Sequence, residues 1–198
     1  MTIVLLTALI SVILAFFFYK QIHKYKYILY GFFGLLALVV SESGNIITLG
    51  FVPFGIFLVV MYTGVLDKGI VRKRLALVRA EYAIIGSILL LPHAIGYLEI
   101  YLDEVFPKLA GWSQLFGVLA FLTMIPLFVT SFQFIRKKFS YKEWKSLHKV
   151  AYVSYLFIFA HLLILNNDRF FYYLAITVVY IALKVPTVYK WIEKRKKT

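Results

Sequence analysis

Long uncharged apolar runs recur along the chain, separated by short polar gaps. About 20 apolar residues are needed for a helix to cross ~30 Å of hydrocarbon, and the runs give seven spans of roughly that order. They fall at about 3–19, 27–40, 48–66, 76–101, 109–131, 148–166 and 170–188. The second is short for the hydrocarbon thickness, so its ends are the least defined. The predicted fold class is all-α: a polytopic membrane bundle of six to seven transmembrane helices. For the first span a removable signal peptide is the alternative. It has no basic n-region and no A-x-A site, and its lysines follow the apolar run, so a retained anchor is expected.

The helices use nearly every residue. The longest gap, at about 132–147, is too short to hold a domain, so residues 1–198 read as a single transmembrane domain. Its N-terminal spans occupy 1–47, and a basic tail at 189–198 is expected on the cytoplasmic side. Neither a GxGxxG after a strand nor a GxxxxGK[ST] occurs, so no nucleotide- or flavin-binding domain is predicted within the chain. Neither an internal repeat nor a low-complexity tract is evident.

Composition agrees with the pattern. The chain is 62% hydrophobic and 19% aromatic, with a mean hydropathy of +0.85, well above the half-apolar composition of soluble domains. The absence of Cys removes disulfides, thiolate zinc sites and Cys-ligated iron–sulfur clusters.

A net charge of +13 invites a nucleic-acid reading, and the placement of the charges rejects it. All the basic residues except Lys108 and Arg169 lie in four clusters, within 20–26, 68–79, 136–149 and 184–197, in or near alternate gaps. The intervening gaps, SESGN at 41–45, DEVFPK at 103–108 and NNDR at 166–169, are acidic or nearly neutral. By the positive-inside rule this predicts an N-terminus outside and a C-terminus in the cytoplasm, in the cell membrane.

Four histidines interrupt the apolar chemistry. His23 lies among lysines and reads as a solvated loop residue. His93, in LLLPHAIGYL, stands seventeen residues into the fourth span, ~25 Å along the helix; Pro92 directly before it helps to aim it. His148 opens the sixth span and His161 lies thirteen residues on, ~20 Å further. His93 and His161 therefore reach similar depths in the outer half of the bilayer. Two imidazoles from different helices, with no Cys and a broad apolar and aromatic surround, suit a flat apolar cofactor with two axial ligands, which is a b-type haem. His148 then serves a second haem nearer the inner face. On an ideal helix His148 and His161 point ~140° apart. A shared facing direction needs a bulge, a tilt, or His148 just before the regular helix. The competing reading is helix–helix hydrogen bonding by the same histidines.

Residues 128–165, FVTSFQFIRKKFSYKEWKSLHKVAYVSYLFIFAHLLIL, resemble the ferric reductase-like transmembrane domain family, in particular its MsrQ (YedZ) haem-binding branch. The shared features are a Thr-Ser at a helix end, a basic loop, W-x-x-LH, an aromatic shortly after, and a second His thirteen residues on. RKRLALVRAEYAIIGSILLLPHAIGYL, at 72–98, resembles the family's preceding His helix. The resemblance covers 48–188. It implies a haem-binding core there, with His93, His148 and His161 as haem-linked metal ligands. It also implies electron flow from cytoplasmic flavin or membrane quinol to an acceptor outside; in the MsrQ branch that acceptor is a periplasmic methionine sulfoxide-repairing enzyme. The chain differs by an extra N-terminal span, by its Arg79-Ala80-Glu81 element, and by carrying Arg79 where four-histidine relatives have a second histidine of the fourth span.

Further candidates follow from position. Arg79 and Glu81, near the inner end of the fourth span, read as an ion pair or interfacial charges, with a quinol, flavin or haem-propionate contact for Arg79 as the sharper alternative. Trp144 and Tyr152 flank His148 and are placed to pack on a haem edge. Glu42, Glu99, Asp103 and Glu104 read as solvated charges of the outer rim.

The expected function is that of a haem b membrane protein, with one or two haems and with quinone or FMN supplied by a partner. It carries electrons from quinol or a separate flavoprotein to an extracytoplasmic acceptor protein or to ferric iron, surrounded by membrane lipid and without nucleic acid. The alternative is a haem-free transporter or accessory subunit with its histidines in a proton path or in helix contacts.

Overall fold

The computed structural model describes residues 1–40, 44–67, 69–103, 111–165 and 167–196. Glu42 and Glu104 lie outside them. The described residues form helices α1 (Thr2–Lys24), α2 (Lys26–Val39), α3 (Phe51–Thr63), α4 (Ile70–Asp103), α5 (Trp112–Ser131), α6 (Gln133–Arg136), α7 (Tyr141–Leu147), α8 (Val150–Leu165) and α9 (Phe170–Lys196), with a 3-10 turn at Asn167–Arg169 before α9. No strand occurs among them. The architecture is an all-α membrane bundle. Among the described residues four segments are long and apolar enough to cross a membrane: Thr2–Lys24, Ile70–Glu99, Trp112–Ser131 and Tyr141–Leu165. Three shorter apolar helices, Lys26–Val39, Phe51–Thr63 and Phe170–Pro186, accompany them.

Each of the seven apolar runs holds one apolar helix, but the bounds differ. The third run is expected from residue 48, yet α3 starts at Phe51, because residues 45–50 are taken into a turn. The Asn45 side-chain oxygen accepts from the backbone N–H groups of Ile47 and Thr48, and Gly50 sits at φ 77°, the left-handed region that glycine adopts without a Cβ penalty. α4 begins six residues before the expected start, since Val71–Ala76 are mostly good helix formers that carry the helix past the apolar stretch. It also runs through Pro92 without a break, as membrane helices allow when neighbours satisfy the freed backbone.

α3 is apolar all round and is the buried centre of the bundle: Pro53 through Met61 are all buried. α4 packs along α3 and also against α1, α2 and α5; α5 lies along α8, and α8 touches α9. α1 instead leaves Leu5, Leu6, Leu9, Ile13 and Phe17 exposed, a face suited to lipid. Lipid is as apolar as leucine, so close packing rather than dehydration must hold such helices together. At Gly55 an added Cβ would stand 2.7 Å from both the Thr7 Cβ and the Val4 carbonyl oxygen, so any side chain there would drive α1 off α3. α1 departs from helical geometry at Phe18, close to the Phe16 carbonyl that accepts a hydrogen bond from the Arg74 guanidinium. A side chain that takes a ladder carbonyl is a known cause of such kinks.

Candidate functional site

His93 and His161 come together. Their ring centres are 6.3 Å apart and their planes are inclined at 73°. His93 projects from α4 and His161 from α8, and the two residues are 68 positions apart in the sequence. The α3 entry turn lies against His93, and the start of α5 lies against His161.

Each imidazole is fixed through the same atom. His93 Nδ1 lies 2.8 Å from the Thr48 carbonyl oxygen, and His161 Nδ1 lies 2.7 Å from the Ser113 carbonyl oxygen. A carbonyl only accepts, so Nδ1 carries the proton in both rings and Nε2 keeps its lone pair. The Ser113 hydroxyl donates to the His161 carbonyl at 3.1 Å, tying α5 to α8 beside the ring. Tyr97, one turn beyond His93, lies 4.9 Å from its ring.

Two glycines make room. A Cβ on Gly50 would lie 3.3 Å from His93 Nδ1, and one on Gly117 would lie 3.0 Å from His161 Nδ1. The two rings are therefore backed by backbone, with no side chain behind them at these points. Histidine metal ligands commonly donate the remote N–H to a carbonyl, which sets the tautomer and the ring orientation.

The donor set fits a haem. Among the described residues no group of three or more His, Asp or Glu side chains could hold a bare metal ion. Two imidazoles alone suit an iron whose other four ligands come from a macrocycle. His93 and His161, with ring centres 6.3 Å apart, are the residues that would hold such a group.

His148 is placed differently. It ends α7 with φ −68° and ψ −4°, and α8 begins at Val150, so it stands before the regular helix and escapes the ~140° offset of an ideal helix. Its Nε2 is 3.1 Å from the Thr130 hydroxyl. That hydroxyl gives its own proton to the Pro126 carbonyl at 2.6 Å, so His148 Nε2 is the donor. No second histidine faces it among the described residues. Trp144 packs on the His148 ring at 4.2 Å with the planes tilted by 34°, donates its indole N–H to the Thr130 carbonyl and carries the Arg136 guanidinium over its ring at 4.3 Å.

Arg79 and Glu81 turn to different partners, because residues two apart on a helix do not face each other. The Glu81 carboxylate is buried and takes a 2.7 Å hydrogen bond from His23, whose own side chain is 59% exposed. His23 is thus solvent-exposed as expected, but it lies in the last turn of α1 rather than in a loop, and it is tied to α4. The second Glu81 oxygen has no hydrogen-bond partner among the described residues. Arg79 instead faces Tyr155 and Gly64. Glu99 is exposed at the far end of α4.

Thr48, Gly50, Ser113 and Gly117 are not singled out by sequence reasoning, yet they build the surroundings of His93 and His161; Thr130, which contacts His148, is the Thr of the Thr-Ser at the helix end. Ser113 and Gly117 stand four apart on α5, a small-xxx-small pair of the kind that marks close helix approach in membranes, and that spacing was a usable signal. The Thr48 carbonyl had none, since a backbone oxygen leaves no trace in the residue type.

The family described as ferric reductase like transmembrane component matches residues 46–159, more than half of the chain. The matched stretch includes Gly50, His93, Ser113, Gly117 and His148, and ends just before His161. A relative from Treponema pallidum (strain Nichols), described as an uncharacterized protein, is 34% identical over 113 residues, covering 54% of this chain and 31% of the relative. The chain therefore spans under a third of that relative's length. No solved structure matches the chain.

Proposed function

Because the chain belongs to the ferric reductase-like transmembrane family, whose role is electron transfer in the membrane, we propose that it does so with a haem b held between His93 and His161. The observation that carries this reading is the pairing of two imidazoles 6.3 Å apart, each with its Nδ1 proton given to a backbone carbonyl. Bound there, haem supplies a one-electron couple. The protein's part is to hold the two Nε2 atoms, to fix both tautomers, and to keep side chains off the far edge of each ring at Gly50 and Gly117.

A second haem at His148 has less support. Its Nε2 is engaged by Thr130, and Arg79 stands where a facing histidine would be needed. Trp144 then serves to brace His148 against Arg136.

The donor and acceptor proposed are those that the family resemblance implies, and the orientation is the one that the basic loops suggest. The chain lies in the cytoplasmic membrane as a multi-pass protein, N-terminus outside, with its basic loops in the cytoplasm. Quinol in the bilayer, or a flavoprotein docking on the basic α6–α7 loop, delivers electrons. They leave to an extracytoplasmic protein of the kind the MsrQ branch serves, or to ferric iron. The chain has no Cys, so orientation is read cleanly from single cysteines: Asp168→Cys is labelled by an impermeant maleimide in intact cells and Lys142→Cys is not.

The reading is tested by haem content per protein after purification from haem-replete cells. About one haem is expected in the wild type and almost none in His93→Ala or His161→Ala. A folded, haem-free wild type would return the histidines to helix contacts or a proton path in a transporter.

A further inference from the structure

Far from the His93–His161 pair, a cavity of about 190 Å³ opens between α3, α4, α8 and α9. Arg79 on its wall stands fourteen residues before His93 on the same helix, ~21 Å along the axis.

Three cations line this cavity: Arg72 and Arg79 from α4 and Lys184 from α9. Three phenol groups join them: Tyr152 and Tyr155 from α8 and Tyr180 from α9. Lys184 Nζ donates to the Tyr152 hydroxyl at 2.7 Å and lies over its ring at 4.3 Å. Arg79 reaches the buried Tyr155 hydroxyl. Tyr180 packs on Tyr155 at 6.0 Å. No carboxylate answers these charges among the described residues; the acid–base contact recorded there is His23 with Glu81, to which Arg79 has its back.

Three like charges around one small cavity repel each other, and unpaired cations in a membrane helix are costly. The lining is dominated by donors: two guanidinium forks, an ammonium and phenolic O–H groups. That set matches a tetrahedral oxyanion, for which guanidinium gives paired hydrogen bonds. A single carboxylate would neutralise one charge and reach few of the donors. The cavity also lies at the basic ends of its helices, the level at which basic residues meet lipid phosphates.

We infer that this cavity binds a phosphate group, carried by an anionic phospholipid headgroup or by a soluble phosphate. The site is distinct from the haem site and stands whether or not haem binds.

The test is native mass spectrometry of the full chain in detergent, titrated with phosphatidylglycerol and separately with inorganic phosphate. Phosphatidylcholine gives the background of loosely held lipid. Saturable binding of one phosphate-bearing molecule is expected, weakened about tenfold or more in Arg72→Gln and Lys184→Gln, as loss of a charged hydrogen bond implies. Lys184→Arg keeps the charge and retains binding, which separates a lost ligand from a misfolded chain. Phosphatidylglycerol bound and not displaced by inorganic phosphate identifies the lipid source. Saturable binding of inorganic phosphate alone identifies the soluble one. Binding at background level in the wild type, or equal binding in the wild type and both glutamine variants, overturns the inference.

Discussion

Gly117 lies against His161: an added Cβ would stand 3.0 Å from the imidazole Nδ1 and 3.2 Å from Cε1. The ring is held by the Ser113 carbonyl on the same helix, so it has little freedom to retreat. Gly117→Ala should therefore tilt His161 without unfolding α5, and alanine is itself the better helix former. The expected result is haem affinity reduced by about 10- to 100-fold, the range for changes in groups that orient metal ligands. Haem titration of the purified variant measures it. Unchanged affinity would show that the ring behind Gly117 does not need its present position.

Ser113→Ala separates the hydroxyl from the carbonyl. The substitution removes the bond to the His161 carbonyl but leaves the Ser113 carbonyl that holds Nδ1. A loss of about 1 kcal/mol in stability is expected from one hydrogen bond, with haem retained. Thermal unfolding in detergent and the visible spectrum read the two parts separately. Haem loss in this variant would mean that the hydroxyl, not the carbonyl, fixes the ring.

His148→Ala should leave haem content and the Soret spectrum near wild type. It breaks the Trp144 packing and the Thr130 contact, so some loss of stability accompanies it. A halved haem content would establish an inner haem on His148.

His23 and Glu81 make a stability prediction of their own. Glu81 is buried with one oxygen on His23 and the other without a hydrogen-bond partner among the described residues. His23→Ala strands the carboxylate and should cost about 1–3 kcal/mol, the penalty for an unsatisfied buried polar group. Adding Glu81→Gln in the same chain should recover part of it, because the stranded charge is gone. Unfolding temperatures of the single and double variants decide this.

Much of the fold was legible because lipid sets a strong rule: a spanning segment must satisfy its own backbone and be apolar, so each apolar run reports a helix. The convergence of His93 and His161 was legible too, because equal depth along two helices is simple arithmetic. Three features were not. The start of α3 depends on the Asn45 side chain taking two backbone N–H groups, which an apolar run conceals. The Ser140 and Glu143 capping box that begins α7 was written in the sequence as S-x-x-E, inside what reads as a basic loop. The partner of Glu81 is 58 positions away at His23, and residue spacing along α4 pointed to Arg79 instead.

The proposal that His93 and His161 share one iron is decided by electron paramagnetic resonance of the oxidised, purified protein. A low-spin ferric signal of bis-imidazole type is expected in the wild type, and its loss in His93→Ala and in His161→Ala. A high-spin or non-imidazole signal in the wild type, or a low-spin signal that survives either substitution, would contradict it.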